Sequence, residues 1–87
     1  MKKGNRIVEK LSLPQDIIYG ELCAQLLGNK EIWIENYKGI VNVSEDNIIL
    51  SGKNTRISIE GKGLYIAYYT KEEMKVKGSI ERISFGV

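Results

Sequence analysis

Between residues 31 and 85 apolar and polar positions alternate in short runs, broken by Gly, Asn, Asp and Lys. A period of two puts one set of side chains on a core face and the other in solvent, which is the mark of a half-buried β-strand. Ile32 and Ile34 alternate with Trp33 and Glu35. Thr55, Ile57 and Ile59 alternate with Arg56, Ser58 and Glu60. Leu64, Ile66 and Tyr68 oppose Tyr65, Ala67 and Tyr69, and Met74 and Val76 alternate with Lys75 and Lys77. Further short strands are predicted over 40–43, 48–50 and 80–85. Turns are expected at 36–39, 44–47, 51–54, 61–63 and 70–73, with a tight turn or bulge at 78–79. Turn centres therefore recur about every 8–10 residues, the spacing of a small antiparallel sandwich, barrel or β-roll. The prediction is an all-β domain of about six to seven short strands over 21–87.

The N-terminal part reads differently. Residues 1–5 are polar and carry Lys2 and Lys3, as a frayed terminus does. Over 6–11, Ile7, Val8 and Leu11 fall on one side of one or two helical turns, with Asn5 as the N-cap. Pro14 suits the first position of a second short turn, and Gly20 ends it. Residues 1–20 are thus expected to form a short helical adapter laid on the β domain. Residues 21–27, ELCAQLL, fit either state. Their propensity is helical, yet Leu22, Ala24 and Leu26 alternate with Cys23, Gln25 and Leu27 and would make a strand turning at Gly28-Asn29-Lys30.

Composition narrows the chemistry. With 87 residues the chain is one domain, and so short a chain buries only about 60–65% of its unfolded surface. Its stability margin is therefore thin without contacts from a partner or from copies of itself. There is no histidine, which removes the commonest general base and metal ligand together. The single cysteine, Cys23, has no histidine to activate it and reads as a small apolar residue. The carboxylate pairs Glu45/Asp46 and Glu72/Glu73 lie in expected turns among solvated residues, a poor setting for acid–base work. Gly52-Lys53-Asn54-Thr55 lacks the preceding glycines and the following helix of a phosphate loop. No catalytic, cofactor or metal residue is expected, and the chain reads as a non-enzyme. No apolar run approaches the ~18 residues of a membrane helix, and the start is a poor secretory signal. The expectation is a cytoplasmic protein without membrane insertion.

The aromatics are the remaining candidates. Trp33, Tyr37, Tyr65 and Tyr69 are taken as a protein-interaction surface, since Tyr and Trp combine a large apolar body with a polar tip. The alternative is a stacking platform for single-stranded nucleic acid on a small β-barrel. A net charge of only +2 with interleaved acids weighs against it, so no nucleic-acid partner is expected.

Four stretches resemble one family: LPQDII at 13–18, LLGNKEIWIENYKGIV at 26–41, IEGKGLYI at 59–66 and VKGSIERISF at 76–85. In that order they look like the YabP/YqfC family of endospore-forming bacteria. The likeness spans nearly the whole chain. It lies in structural turns and hairpins rather than in catalytic motifs, and it favours a strand over 21–27. Residues 23–25 depart from the extended, often proline-containing stretch expected there. The resemblance implies a mother-cell protein without enzymatic activity, a scaffold or adaptor in spore coat or forespore envelope assembly. It also implies a place at the periphery of the forespore membrane. The partner it implies is the membrane protein YqfD, encoded beside such family members, or another sporulation envelope protein. Open sheet edges on so short a chain further suggest a homo-oligomer.

Overall fold

A computed structural model of the chain describes residues 20–86. Six antiparallel strands follow one another: β1 (Cys23–Leu27), β2 (Glu31–Glu35), β3 (Gly39–Val43), β4 (Asn47–Gly52), β5 (Thr55–Tyr69) and β6 (Glu73–Phe85). They form a single sheet in the order β1-β2-β6-β5-β4-β3, so β1 and β3 are its edges. The chain is all-β as expected, and residues 23–27 form a strand, not a helix. The helical adapter assigned to 1–20 lies outside the described residues apart from Gly20, which is in a turn.

Two expectations are corrected. The sheet is one open sheet, neither two hydrogen-bonded layers nor a closed barrel. And β5 and β6 are long strands of 15 and 13 residues, running through the positions read as a turn at 61–63, while of the two readings at 78–79 the bulge is the one that holds. Glycine there serves a bulge. The β5–β6 ladder shifts register between Glu60 and Gly61, between Lys62 and Tyr65, and again between Ile66 and Tyr68. Gly63 and Gly78 adopt φ of 62° and 141°, backbone that an L side chain rarely takes.

These bulges fold the sheet over its own inner face. β2 lies along the first half of β6, while β4 lies along the first half of β5, toward the far end of the β5–β6 hairpin. Glu35 pairs with Glu73 beside the hairpin tip, and Gly39 pairs with Ser51, which pairs with Arg56. A straight β5 would separate Arg56 from Tyr69 by ~43 Å at ~3.3 Å per residue. Yet the link from Glu35 to Gly39 reaches at most ~14 Å. It is also anchored at both ends: the Asn36 amide donates to the Glu72 carbonyl (2.7 Å) and the Lys38 amide to the Ser51 carbonyl (2.7 Å). The two ends of the hairpin must therefore come together, and the sheet bends double between them.

The bend creates the core. Ile32, Ile34, Ile48, Leu50, Ile57, Ile59, Met74 and Val76 are fully buried, joined by Leu64, Ile80 and Tyr37. Each fully buried aliphatic side chain contributes roughly 1.5–3 kcal/mol of gross transfer free energy. The alternation seen in the sequence is realised here, because Ile32/Ile34, Ile57/Ile59 and Met74/Val76 all point inward.

A bulge leaves backbone N–H groups without ladder partners, and buried ones must find others. The tips of the two flanking hairpins supply them. The Gly61 and Leu64 amides donate to the carbonyls of Asp46 (3.1 Å) and Glu45 (2.8 Å) in the β3–β4 turn. The Gly78 and Ile80 amides donate to Lys30 (3.1 Å) and Asn29 (2.8 Å) in the β1–β2 turn.

Gly61 leaves no room for a side chain, since a Cβ there would lie 2.0 Å from the Ser79 carbonyl oxygen. Gly61→Ala is therefore expected to destabilise the domain by about 3 kcal/mol or more, with loss of the bend. Urea denaturation followed by circular dichroism checks this, and a variant within about 0.5 kcal/mol of the native chain would show that the bend does not need glycine.

Candidate functional site

Outward-facing residues of β1, β2, β6 and β5 form rows across the outside of one half of the bent sheet. One row runs Gln25, Trp33, Lys75, Tyr68, and the next runs Leu27, Glu31, Lys77, Tyr65. The rows follow from period-two alternation: each outward residue neighbours a buried one, Trp33 lying between Ile32 and Ile34 and Lys75 between Met74 and Val76. Trp33 is 36% exposed and Tyr65 55%.

The side chains on this face hold one another. Trp33 and Tyr68 meet edge to face, with ring centroids 5.9 Å apart and planes at 89°. The Lys75 ammonium lies 5.2 Å from the centre of the Trp33 ring, a cation–π contact. Glu31 bridges both lysines, 3.5 Å from Lys75 Nζ and 3.9 Å from Lys77 Nζ. Such partly exposed ion pairs contribute less than about 1 kcal/mol each. They do cancel much of the positive charge that the two lysines would otherwise present. The face is thus aromatic and polar with little net charge. Lys75 already covers a face of Trp33, where a nucleobase would have to stack.

Of the four aromatics singled out in the sequence, Trp33 and Tyr65 lie on this face. Tyr69 does not share a side with Tyr65, because one extra residue between Ile66 and Tyr68 inverts the alternation. Tyr68 then pairs with Lys75 and Tyr69 with Met74. Tyr37 is in the core, 7% exposed, and its hydroxyl donates to the Thr70 carbonyl. Tyr68, Lys75 and Glu31 were missed as members of the face. The alternation of Lys75 and Lys77 with Met74 and Val76 would have placed the lysines outward, whereas the bulge that brings Tyr68 round has no local sequence signal.

A shallow depression of about 410 Å³ lies at the β1 side of the face, lined by Gln25, Leu26, Leu27, Glu31, Trp33 and Lys75. The carboxylates Glu45, Asp46 and Glu72 are exposed in turns. Among the described residues no group of three or more His, Cys, Asp or Glu is placed to hold a metal ion. Nor, among them, is any helix long and apolar enough to cross a membrane.

Among the described residues, Tyr37 is the one titratable group with a resolved perturbation. Burial, and secondarily the Tyr69 phenol, push its pKa above the ordinary value near 10. Below that value both folded and unfolded chains keep the proton, and the stability is full. As pH rises past 10 the unfolded tyrosine ionises first, so stability falls. Tyr37→Phe is expected to lose about 1 kcal/mol at neutral pH with the hydrogen bond to Thr70, and to flatten the alkaline decline. Urea melts at about pH 8 and pH 11 measure both effects; an equally steep alkaline decline in Tyr37→Phe would refute the assignment.

Comparison with known proteins adds a lineage. The model of the family described as "YabP family" matches residues 22–86. The chain is 27% identical over 79 residues to the "Uncharacterized protein YqfC" of Bacillus subtilis (strain 168), covering 91% of this chain and 85% of that protein. No solved structure matches.

Proposed function

Because the chain belongs to the YabP family, matched over the whole of its sheet, we propose that it is a non-enzymatic sporulation protein. It acts as a scaffold or adaptor in spore coat or forespore envelope assembly, through protein contacts. The observation that carries the reading is the outer face with Trp33, Tyr65 and Tyr68 exposed around Lys75 and Lys77. Aromatic residues with polar tips, set on a rigid sheet and only weakly charged, make the anchors of a protein interface. Catalysis would call for converging polar groups of perturbed pKa in a deep pocket. The depression beside Trp33 is shallow, and the perturbed Tyr37 points into the core away from it.

The partner in this reading is an envelope protein of the forespore, with the membrane protein YqfD first among them. The chain works from the mother-cell cytoplasm at the membrane periphery. The aromatic face would meet a cytosolic region of that partner.

A pull-down from sporulating cells with the tagged full chain tests this. Recovery of a membrane protein, reduced at least tenfold by Trp33→Ala or Tyr65→Ala with the fold intact by circular dichroism, is the expected result. Recovery of nucleic acid in a salt-sensitive manner, or of a partner that ignores both substitutions, would overturn it.

A further inference from the structure

The alternation of β1 begins before its first residue. Leu22, Ala24 and Leu26 share the core side of the sheet, since Ala24 pairs with Ile34 and Leu26 with Ile32, both fully buried. Their cover differs. Leu22 packs against the core and meets the end of β4, where a Cβ added at Gly52 would lie 3.1 Å from the Leu22 Cβ. Ala24 is exposed and Leu26 is 56% exposed. The opposite half of the bent sheet thus reaches over the start of β1, and nothing among the described residues covers the rest of its core side.

We propose that residues 13–19 of the same chain cover this strip, laying Leu13, Ile17, Ile18 and Tyr19 over Ala24 and Leu26. The path of the chain points there. The Asn36 side-chain amide donates to the Glu21 carbonyl (2.9 Å), so the chain enters β1 from a fixed point beside Leu22. Gly20 is in a turn with φ of 78°, a backbone state that glycine takes at little cost and that turns a chain back. Reversal at Gly20 brings the residues before it alongside β1. From Leu22 to Leu26 the strand runs ~13 Å, and seven residues extend to at most ~25 Å, so the reach suffices.

Chemistry and tethering favour the same occupant. LPQDIIY carries one charge, at Asp16, and four large apolar or aromatic side chains, while CAQLL carries no charge. A segment joined through Gly20 and Glu21 acts at an effective concentration on the order of millimolar, which a separate chain would have to match. The strip lies on the opposite side of the sheet from Trp33 and Tyr65. This inference therefore does not rest on the envelope role, and either can fail without the other.

Thermal melts of the full chain test the cover. Leu26→Ser is expected to lower Tm by about 5 °C or more, whereas Leu27→Ser, on the outer side, is expected to move it by less than about 2 °C. Ile17→Ser combined with Ile18→Ser is expected to lower Tm similarly. Adding Leu26→Ser to that pair is expected to lower it little further, because the contacts are already lost. A Leu26→Ser Tm equal to or above the native value overturns the proposal, as does a full sum of the two effects. A native Tm that rises with chain concentration assigns the strip to a second copy and also overturns it. A nitroxide on Gln15→Cys locates the segment without altering its apolar residues, in a Cys23→Ser background that keeps a donor for the Glu21 carbonyl. It is expected to broaden the amide NMR signals of Ala24 and Leu26 more than those of Ile40 and Val43, which lie at the other edge of the sheet. The reverse order, or no broadening at either strand, overturns the placement.

Discussion

The architecture depends on four backbone hydrogen bonds, those by which the tips of two flanking hairpins satisfy amides exposed where β5 and β6 bulge. Without them the bent hairpin would carry unpartnered N–H groups, buried at Gly61, Leu64 and Ile80 and half-buried at Gly78, each buried one costing about 1–3 kcal/mol. With them, the bend is a stable state, and every later feature follows. The bend brings the inner faces of the two halves together and buries eight large aliphatic side chains completely. It also lets a short link join β2 to β3 across what would otherwise be a gap too wide to span. The flanking hairpins are thus both walls of the core and partners of its hinge.

The same arrangement explains why the surface is divided as it is. Inward positions of β2, β5 and β6 are committed to the core, so their outward neighbours are held on a rigid support. Trp33, Lys75 and Tyr68 owe their mutual contacts to this support rather than to any local motif. A sheet face of this kind changes little on binding, so its side chains lose little conformational freedom on association.

Much of this was legible in the sequence. The period-two runs placed Ile32, Ile34, Ile57, Ile59, Met74 and Val76 on the core face. The turns at 28–30, 53–54 and 70–72 fell where Gly, Asn, Thr and Lys cluster. What could not be read was the difference between a turn and a bulge. Gly61-Lys62-Gly63 has the composition of a hairpin loop. It becomes part of a strand only because the carbonyls of Glu45 and Asp46, some fifteen residues away, reach it. The same limit misplaced two aromatics. Tyr69 was paired with Tyr65 because nothing in YIAYY marks the extra residue at Ala67. Tyr37 looked like a surface tyrosine in a polar turn, yet its hydroxyl finds the Thr70 carbonyl at the tip of the chain's longest hairpin. In each case a contact distant in sequence overrode a local pattern.

The link through Asn36, Tyr37 and Lys38 has a further consequence. A tether of three residues, hydrogen-bonded at both ends, keeps the two halves of the sheet at a very high effective concentration with respect to each other. Opening the clamshell would not release two independent pieces, because the strap, reaching at most ~14 Å, still joins them. The interior is therefore shielded from slow breathing motions at the side where the strap crosses. Exchange with solvent should begin instead at the outer strands, which no strap crosses.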